Sequence, residues 1–253
     1  MGREDLYIIP TINRVSPTMN DTCSDETCTI DHAPADDIDG ERTFEPGPGK
    51  NILIFADPMC SWCWGFAPEA ERIRTAIKGR AQLHIVMGGL RPGTTETWDQ
   101  EMRDYIRHHW EDVEAKTGQP FDYARLDNKD FVYDTEPGCR ALVSARLIDP
   151  ESAPAMLDAL HRSFYAEGRD INDANVLADI AATCGIERER FKSVFASPEA
   201  RAEVTFDFNR TRAFGVTGFP TVLCADDGQY AFLTLGYRPF SAMGPLLEEW
   251  LNA

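Results

Sequence analysis

The chain has 253 residues, 43% of them apolar, enough for one large domain or two small ones with a substantial core. Its 42 acidic against 25 basic residues leave a net charge of −17, which makes nucleic acid and anionic membrane surfaces poor partners. No stretch reaches the roughly eighteen apolar residues of a membrane span. Seven cysteines, an odd number, behind an N-terminus that is acidic where an export signal is basic, argue against a disulfide framework, for redox or metal chemistry, and for a cytoplasmic location.

Residues 1–49 read as an acidic arm. It carries Asp21, Asp25, Glu26, Asp31, Asp36, Asp37, Asp39, Glu41 and Glu45, and it ends in the breaker Pro46-Gly47-Pro48-Gly49. Leu6 to Ile9 is apolar enough to pair as an edge strand. Cys23 and Cys28 stand in the arm with four residues between them, a spacing that allows a local disulfide. They are candidates for an auxiliary redox pair, or with His32 for a metal clip; the plain alternative is two exposed thiols.

After the arm, Asn51 to Ala56 is a continuous apolar run that predicts a buried strand. Residues 60–78 predict a helix closed by Gly79, and Gln82 to Met87 a second strand stopped by Gly88-Gly89. Strand, helix, strand implies a right-handed unit with parallel strands. About a hundred helical residues follow. Trp98, Met102, Tyr105, Ile106, His109 and Val113 recur on one predicted face, with Gly118 just past the end. On that face His109 reads as a packed histidine, so the His108-His109 pair is not taken as a ligand set. Further helices are predicted after Thr135, over 154–167, 173–184 and 187–196, and from Ser197-Pro198 to Gly215. Strand signals return over 220–225 and 231–235, joined by the hairpin turn Asp226-Asp227-Gly228. Phe240 to Leu251 closes the chain as an amphipathic helix.

The chemistry is concentrated at Cys60-Ser61-Trp62-Cys63. Two intervening residues put both sulfurs in the first turn of a helix, where the unpaired N–H groups and the positive dipole end favour a thiolate. Cys60 reads as the outer, attacking sulfur and Cys63 as the inner, resolving one. Half of a zinc site is the competing reading, with Cys23 and Cys28 as the other ligands, but zinc pairs sit on loops and this pair opens a long helix. Gly215-Val216-Thr217-Gly218-Phe219-Pro220-Thr221 is the second element. A proline there fits the first residue of a strand. If its bond is cis, Phe219 can offer backbone N–H and C=O groups to an extended substrate beside the cysteines. Trp62 and Trp64 are candidates for an apolar rim around them, or Trp64 for packing between subdomains. Cys139, Cys184 and Cys224 stand singly and read as small apolar residues.

Six stretches carry a resemblance: Asp57-Pro58-Met59-Cys60-Ser61-Trp62-Cys63-Trp64-Gly65, Gly88-Gly89-Leu90-Arg91-Pro92-Gly93, Thr117-Gly118-Gln119-Pro120-Phe121, Asp134-Thr135-Glu136-Pro137, Phe164-Tyr165-Ala166-Glu167-Gly168-Arg169-Asp170 and Gly215-Val216-Thr217-Gly218-Phe219-Pro220. Over roughly residues 50 to 250 the chain resembles the DsbA family of the thioredoxin superfamily, in its FrnE-like branch of predicted dithiol-disulfide isomerases. The resemblance implies that Cys60 attacks, Cys63 resolves and Pro220 is cis. It also departs from the periplasmic members. The dipeptide Ser61-Trp62 lacks a histidine, which weighs against a strongly oxidising potential, although the Ser61 hydroxyl can replace part of that donor.

The expected fold is therefore α/β: a thioredoxin fold in residues 50–92 and 197–253, with an inserted helical subdomain over 93–196 and the arm over 1–49. The expected function is a thiol-disulfide oxidoreductase or isomerase acting through Cys60 and Cys63, with Ser61, Trp62, Phe219 and Pro220 contacting substrate. Protein or small-molecule disulfides and dithiols are the expected substrates, glutathione or another thiol reductant a candidate electron partner, and no cofactor or metal is expected. Two alternatives are a glutathione-dependent isomerase or transferase of the kappa-class and hydroxychromene-carboxylate isomerase group, and a zinc-held binding module. The first does not need a cysteine at position 63, so the presence of Cys63 argues against it.

Overall fold

A computed structural model describes residues 7–8, 28–29 and 46–253; Cys23, His32 and the acidic residues of the arm lie outside the described residues. The elements in order are β1 (Tyr7–Ile8), β2 (Cys28–Thr29), β3 (Lys50–Ala56), α1 (Ser61–Ala76), β4 (Gln82–Met87), α2 (Gln100–Thr117), α3 (Glu136–Ile148), α4 (Ala153–Tyr165), α5 (Ala174–Thr183), α6 (Arg188–Phe195), α7 (Pro198–Ala213), β5 (Gly218–Phe219), β6 (Thr221–Asp226), β7 (Gln229–Leu235) and α8 (Phe240–Asn252). The main sheet runs β1-β7-β6-β3-β4. β3 lies in its interior, parallel to β4 and antiparallel to β6, with Leu53 opposite both His84 and Leu223. That position explains its unbroken apolar run, because both faces are covered. This is the thioredoxin fold with a helical insertion between β4 and β6. β1 adds at the far edge of the sheet, antiparallel to β7, with Tyr7 opposite Phe232. No helix among the described residues is long and apolar enough to cross a membrane.

Local chemistry sets the helix ends. The Asp99 carboxylate caps α2 through the Met102 N–H, and Gly118 ends it in the left-handed region at φ 75°. Ser197 caps α7 ahead of Pro198. The apolar face expected on α2 is rotated in the structure. Its buried residues are Ile106, Trp110 and Val113. Tyr105 is 42% exposed and rests its ring against His109 at 4.2 Å. Trp110 wins the core position because it completes an aromatic cluster with Phe121, Phe164 and Tyr165.

α3 of the insertion and α7 together protect the open edge of β4. That edge would otherwise carry unpaired backbone groups under a helical layer. Met87 N–H donates to the buried Asp207 carboxylate at 2.9 Å, and the Thr211 hydroxyl donates to Met87 O at 3.1 Å. Arg146 donates to Ile85 O at 2.8 Å and forks onto Asp207 at 3.0 and 3.1 Å. α3 and α7 thus supply the partners a further strand would have supplied.

The insertion also grips the turn that follows β3. Tyr133 donates its hydroxyl to Met59 O at 2.5 Å, and His161 donates Nε2–H to Asp57 O at 3.1 Å. The buried Cys139 thiol donates to the Asp57 carboxylate at 3.4 Å. Just past β4, Gly88 leaves room for an aromatic ring. A Cβ there would stand 1.9 Å from Phe219 Cζ.

Two measurements follow from these contacts. Phe219 is fully buried, so its ring has nowhere to go if Gly88 gains a methyl group. Gly88→Ala is expected to lower stability by about 1–3 kcal/mol in urea denaturation. A change within error of zero would mean that the ring shifts freely. His161 is the second case. Burial pushes its pKa from the ordinary 6.5 down to about 4. Below pH 6.5 the unfolded chain takes up a proton that the folded chain refuses. Stability from this group is therefore present above 6.5 and lost as pH falls toward 4, by up to about 3 kcal/mol. Asp57, raised by burial, acts in the opposite sense. Comparing His161→Gln with the parent at pH 7 and pH 4.5 isolates the histidine. The variant should lose less stability on acidification, and equal losses would refute the assignment.

Candidate active site

Asp57 organises the turn before the cysteines. Its carboxylate accepts Met59 N–H at 2.9 Å and Leu90 N–H at 2.7 Å, as well as the Cys139 thiol. Burial pushes its pKa up, and the two backbone N–H groups pull it part of the way back. Burial and the adjoining Asp57 raise the Cys139 thiol well above its ordinary value, so Cys139 remains protonated and donates. The Asp57 carbonyl accepts Cys60 N–H at 3.1 Å, which closes the turn onto the start of α1.

Cys60 is the N-cap of α1, in extended backbone conformation at φ −89° and ψ 115°. Its sulfur accepts Cys63 N–H at 3.3 Å, so one orphan donor of the helix terminus is spent on the reactive atom. On its other side Cys60 Sγ stands 3.6 Å from Phe219 O. The sequence reading made Cys60 the outer sulfur; in the structure Cys60 is 0% exposed and Cys63 3%. The loop that carries Phe219 stands beside Cys60.

That loop carries β5 and the Phe219–Pro220 bond, which is cis. Gly236 N–H donates to Pro220 O at 2.7 Å and the Thr221 hydroxyl to Gly218 O at 2.8 Å, which fixes both sides of the bend. The Phe219 ring over Gly88 fixes the third. Phe219 offers its backbone edge as anticipated, and in the structure a strand is added there. β2 pairs antiparallel with β5, with Cys28 opposite Phe219 and Thr29 opposite Gly218.

The remaining predicted residues divide. Ser61 is the first residue of α1 and is buried. Trp62 does not form an exposed rim. It is 3% exposed and packs its ring against Tyr237 at 5.9 Å, because the first turn of α1 faces the segment before α8. Trp64 joins the sheet half to the insertion. It donates Nε1–H to Pro120 O at 3.0 Å, accepts from Gln119 at its carbonyl at 3.0 Å, and lies parallel to Tyr165. Cys224 is a buried strand residue whose thiol burial raises to about 12, and Cys184 is half-buried at the end of α5. Cys139 is more than an apolar filler, since it serves Asp57. Among the described residues no group of three or more His, Cys, Asp or Glu side chains is arranged to hold a metal ion.

Sequence reasoning missed Asp57, Tyr133, His161 and Cys139 as supports of the cysteine turn. Asp57 stands in the stretch Asp57-Pro58-Met59-Cys60 and could have been flagged by its place there. The other three carry no local signal.

Comparison with known proteins places this geometry. A candidate protein disulfide isomerase from Nitrosomonas europaea is similar in structure, with a TM-score of 0.76 and 38% identity, over 81% of this chain and 98% of that one. The cytosolic disulfide reductase DsbM from Pseudomonas aeruginosa, solved alone and with glutathione, is similar at a TM-score of 0.65 and 26% identity, over 80% of this chain and 100% of that one. Among curated relatives, the ClpXP adapter protein SpxH of Halalkalibacterium halodurans is 21% identical over 91% of this chain and 76% of its own. The profile of the DSBA-like thioredoxin domain matches residues 51–241, a span that includes the cysteine pair, the cis-proline loop and the helical insertion, and the chain belongs to that family of thiol-disulfide oxidoreductases.

Proposed function

We propose that the chain is a cytoplasmic disulfide reductase or isomerase that works through a mixed disulfide on Cys60. One observation carries the reading: Cys60 Sγ sits at the N-cap of α1, accepts the Cys63 N–H at 3.3 Å, and adjoins the Phe219 carbonyl before a cis-proline. A sulfur placed there is favoured as a thiolate by the helix terminus. The Cys60 thiolate attacks one sulfur of a substrate disulfide and the other leaves as a thiolate. Cys63, deprotonated, then attacks Cys60 Sγ. The Cys60–Cys63 bond forms as the Cys60–substrate bond breaks, and the second substrate thiol is released. The substrate gains two electrons, and the chain is left as a disulfide that two molecules of a thiol such as glutathione can reduce. The P. aeruginosa reductase, solved with glutathione and described as cytosolic, supports both the electron partner and the compartment. Phe219 and Pro220 present the backbone edge to substrate, and Ser61 and Trp62 line the turn beneath it.

The test couples insulin reduction to glutathione and glutathione reductase. Cys60→Ser should abolish turnover, and Cys63→Ser should slow it and accumulate mixed disulfides on Cys60. A reduction potential more negative than about −220 mV would make reduction the working direction. Full turnover by Cys63→Ser would instead favour the glutathione-dependent isomerase chemistry.

A further inference from the structure

The edge offered to substrate is already taken by the chain itself. β5 consists of two residues, Gly218 and Phe219, and its sheet partner is β2 from the arm. The register matters more than the pairing. Cys28 is opposite Phe219, and Phe219 O is the atom 3.6 Å from Cys60 Sγ. An extended substrate added to this edge presents, at that position, the residue nearest the attacking sulfur. The arm presents a cysteine there, with threonine on both sides of it.

A second observation points the same way. Cys60 is 0% exposed, yet a sulfur that meets external disulfides needs access. The sulfur adjoins the carbonyl of Phe219, and β2 is the strand paired with that residue, so a substrate reaching Cys60 along this edge meets β2 there.

We propose that the arm strand is the resting occupant of the substrate edge and that Cys28 exchanges disulfides with Cys60. The inference rests on Cys60 being the nucleophilic position, as argued above. In the oxidised chain the Cys28 thiolate attacks Cys60 Sγ. The Cys28–Cys60 bond forms as the Cys60–Cys63 bond breaks, and Cys63 leaves as a thiolate that takes the proton Cys28 gave up. Cys23, five residues before Cys28, then attacks Cys28 Sγ. Cys23–Cys28 closes, and Cys60 is released to take the proton from Cys23. Two electrons pass from the arm dithiol to the active-site disulfide, and no outside oxidant or reductant is consumed. Run backwards, the same steps oxidise the active site from an arm disulfide. Because both partners are on one chain, the exchange is a unimolecular reaction at high effective concentration.

The register gives a test that separates Cys28 from Cys23. Cys23→Ser/Cys63→Ser and Cys28→Ser/Cys63→Ser are prepared as full chains, incubated at high dilution with reduced and oxidised glutathione, blocked with N-ethylmaleimide and digested with trypsin without reduction. Both arm cysteines fall in the peptide 15–42, and Cys60 falls in 51–72. In the first variant the linked pair of peptides is expected as the dominant Cys60 species, outcompeting the glutathione adduct. In the second, the link through Cys23 should be about tenfold weaker, since Cys28 is the cysteine in register with Phe219. Equal links through either cysteine, a link found only in covalent dimers, or glutathione on Cys60 with no link would each overturn the inference. The last result would leave the proposed function intact, because Cys60 would still have formed a mixed disulfide. No adduct of any kind on Cys60 would overturn the oxidoreductase reading itself. Should Cys63→Ser not fold, as judged by far-UV circular dichroism, Cys63→Ala carries the same measurement.

Discussion

The position of the Phe219 ring is the constraint from which the site follows. The ring occupies the space a side chain at position 88 would fill, so the strand it belongs to can approach β4 at only one depth. With the ring seated, the Phe219 carbonyl falls beside Cys60 Sγ and the Phe219 backbone edge faces outward to receive a strand. What holds Gly88 therefore holds the site. Gly88 follows β4 directly, and its N–H continues the sheet by donating to Ala56 O at 2.8 Å. The other edge of β4 is held by Asp207, Thr211 and Arg146. A line of contacts thus runs from α3 and α7 through β4 and Gly88 to Phe219 and the reactive sulfur.

The insertion has a second hold, on the turn before α1. Thioredoxin topology alone brings Cys60 to a helix terminus. It does not fix the three residues in front of it, whose backbone groups cannot all pair within the sheet. Tyr133, Cys139 and His161 satisfy a carbonyl, a carboxylate and a carbonyl of that turn. Each is neutral. Burial holds His161 uncharged at neutral pH and keeps the Cys139 thiol protonated. The Asp57 carboxyl beneath the turn, its pKa raised by burial, is met by two backbone N–H groups. Neutral donors fix the geometry there without adding a cation to compete with the helix terminus for the Cys60 anion.

Much of this was legible in the sequence, and the rest was not, for definable reasons. The strand-helix-strand order, the cysteine pair at a helix start, the capping Ser197-Pro198 and the hairpin at Asp227-Gly228 are short-range patterns, and each appears where periodicity and turn chemistry put it. The supports of the cysteine turn lie 74, 82 and 104 residues from their partners, so no local window contains them. On α2, Tyr105 and His109 flank the buried stripe of Ile106, Trp110 and Val113 by one residue and share its spacing, so periodicity alone does not separate the two faces. A tryptophan beside a reactive cysteine suits a substrate rim as well as a core, and the ring of Tyr237 decides for the core at Trp62. The arm could be read only as acidic and carrying two cysteines. Its register against β5 is set by the backbone of a loop about 190 residues away, which spacing cannot reveal.

The shortness of β2 fits the work asked of it. A two-residue strand makes few backbone bonds, each contributing only about 1 kcal/mol net, and two-stranded sheets are marginal by themselves. Where backbone bonds alone hold it, β2 yields to a longer extended segment that adds to the same edge with more contacts. Held covalently through Cys28, it does not yield until the bond is exchanged. Non-covalent docking therefore sets where the arm sits, and sulfur chemistry sets whether it stays. A longer β2 would lose that distinction, because an edge filled by many backbone bonds would be closed in either redox state.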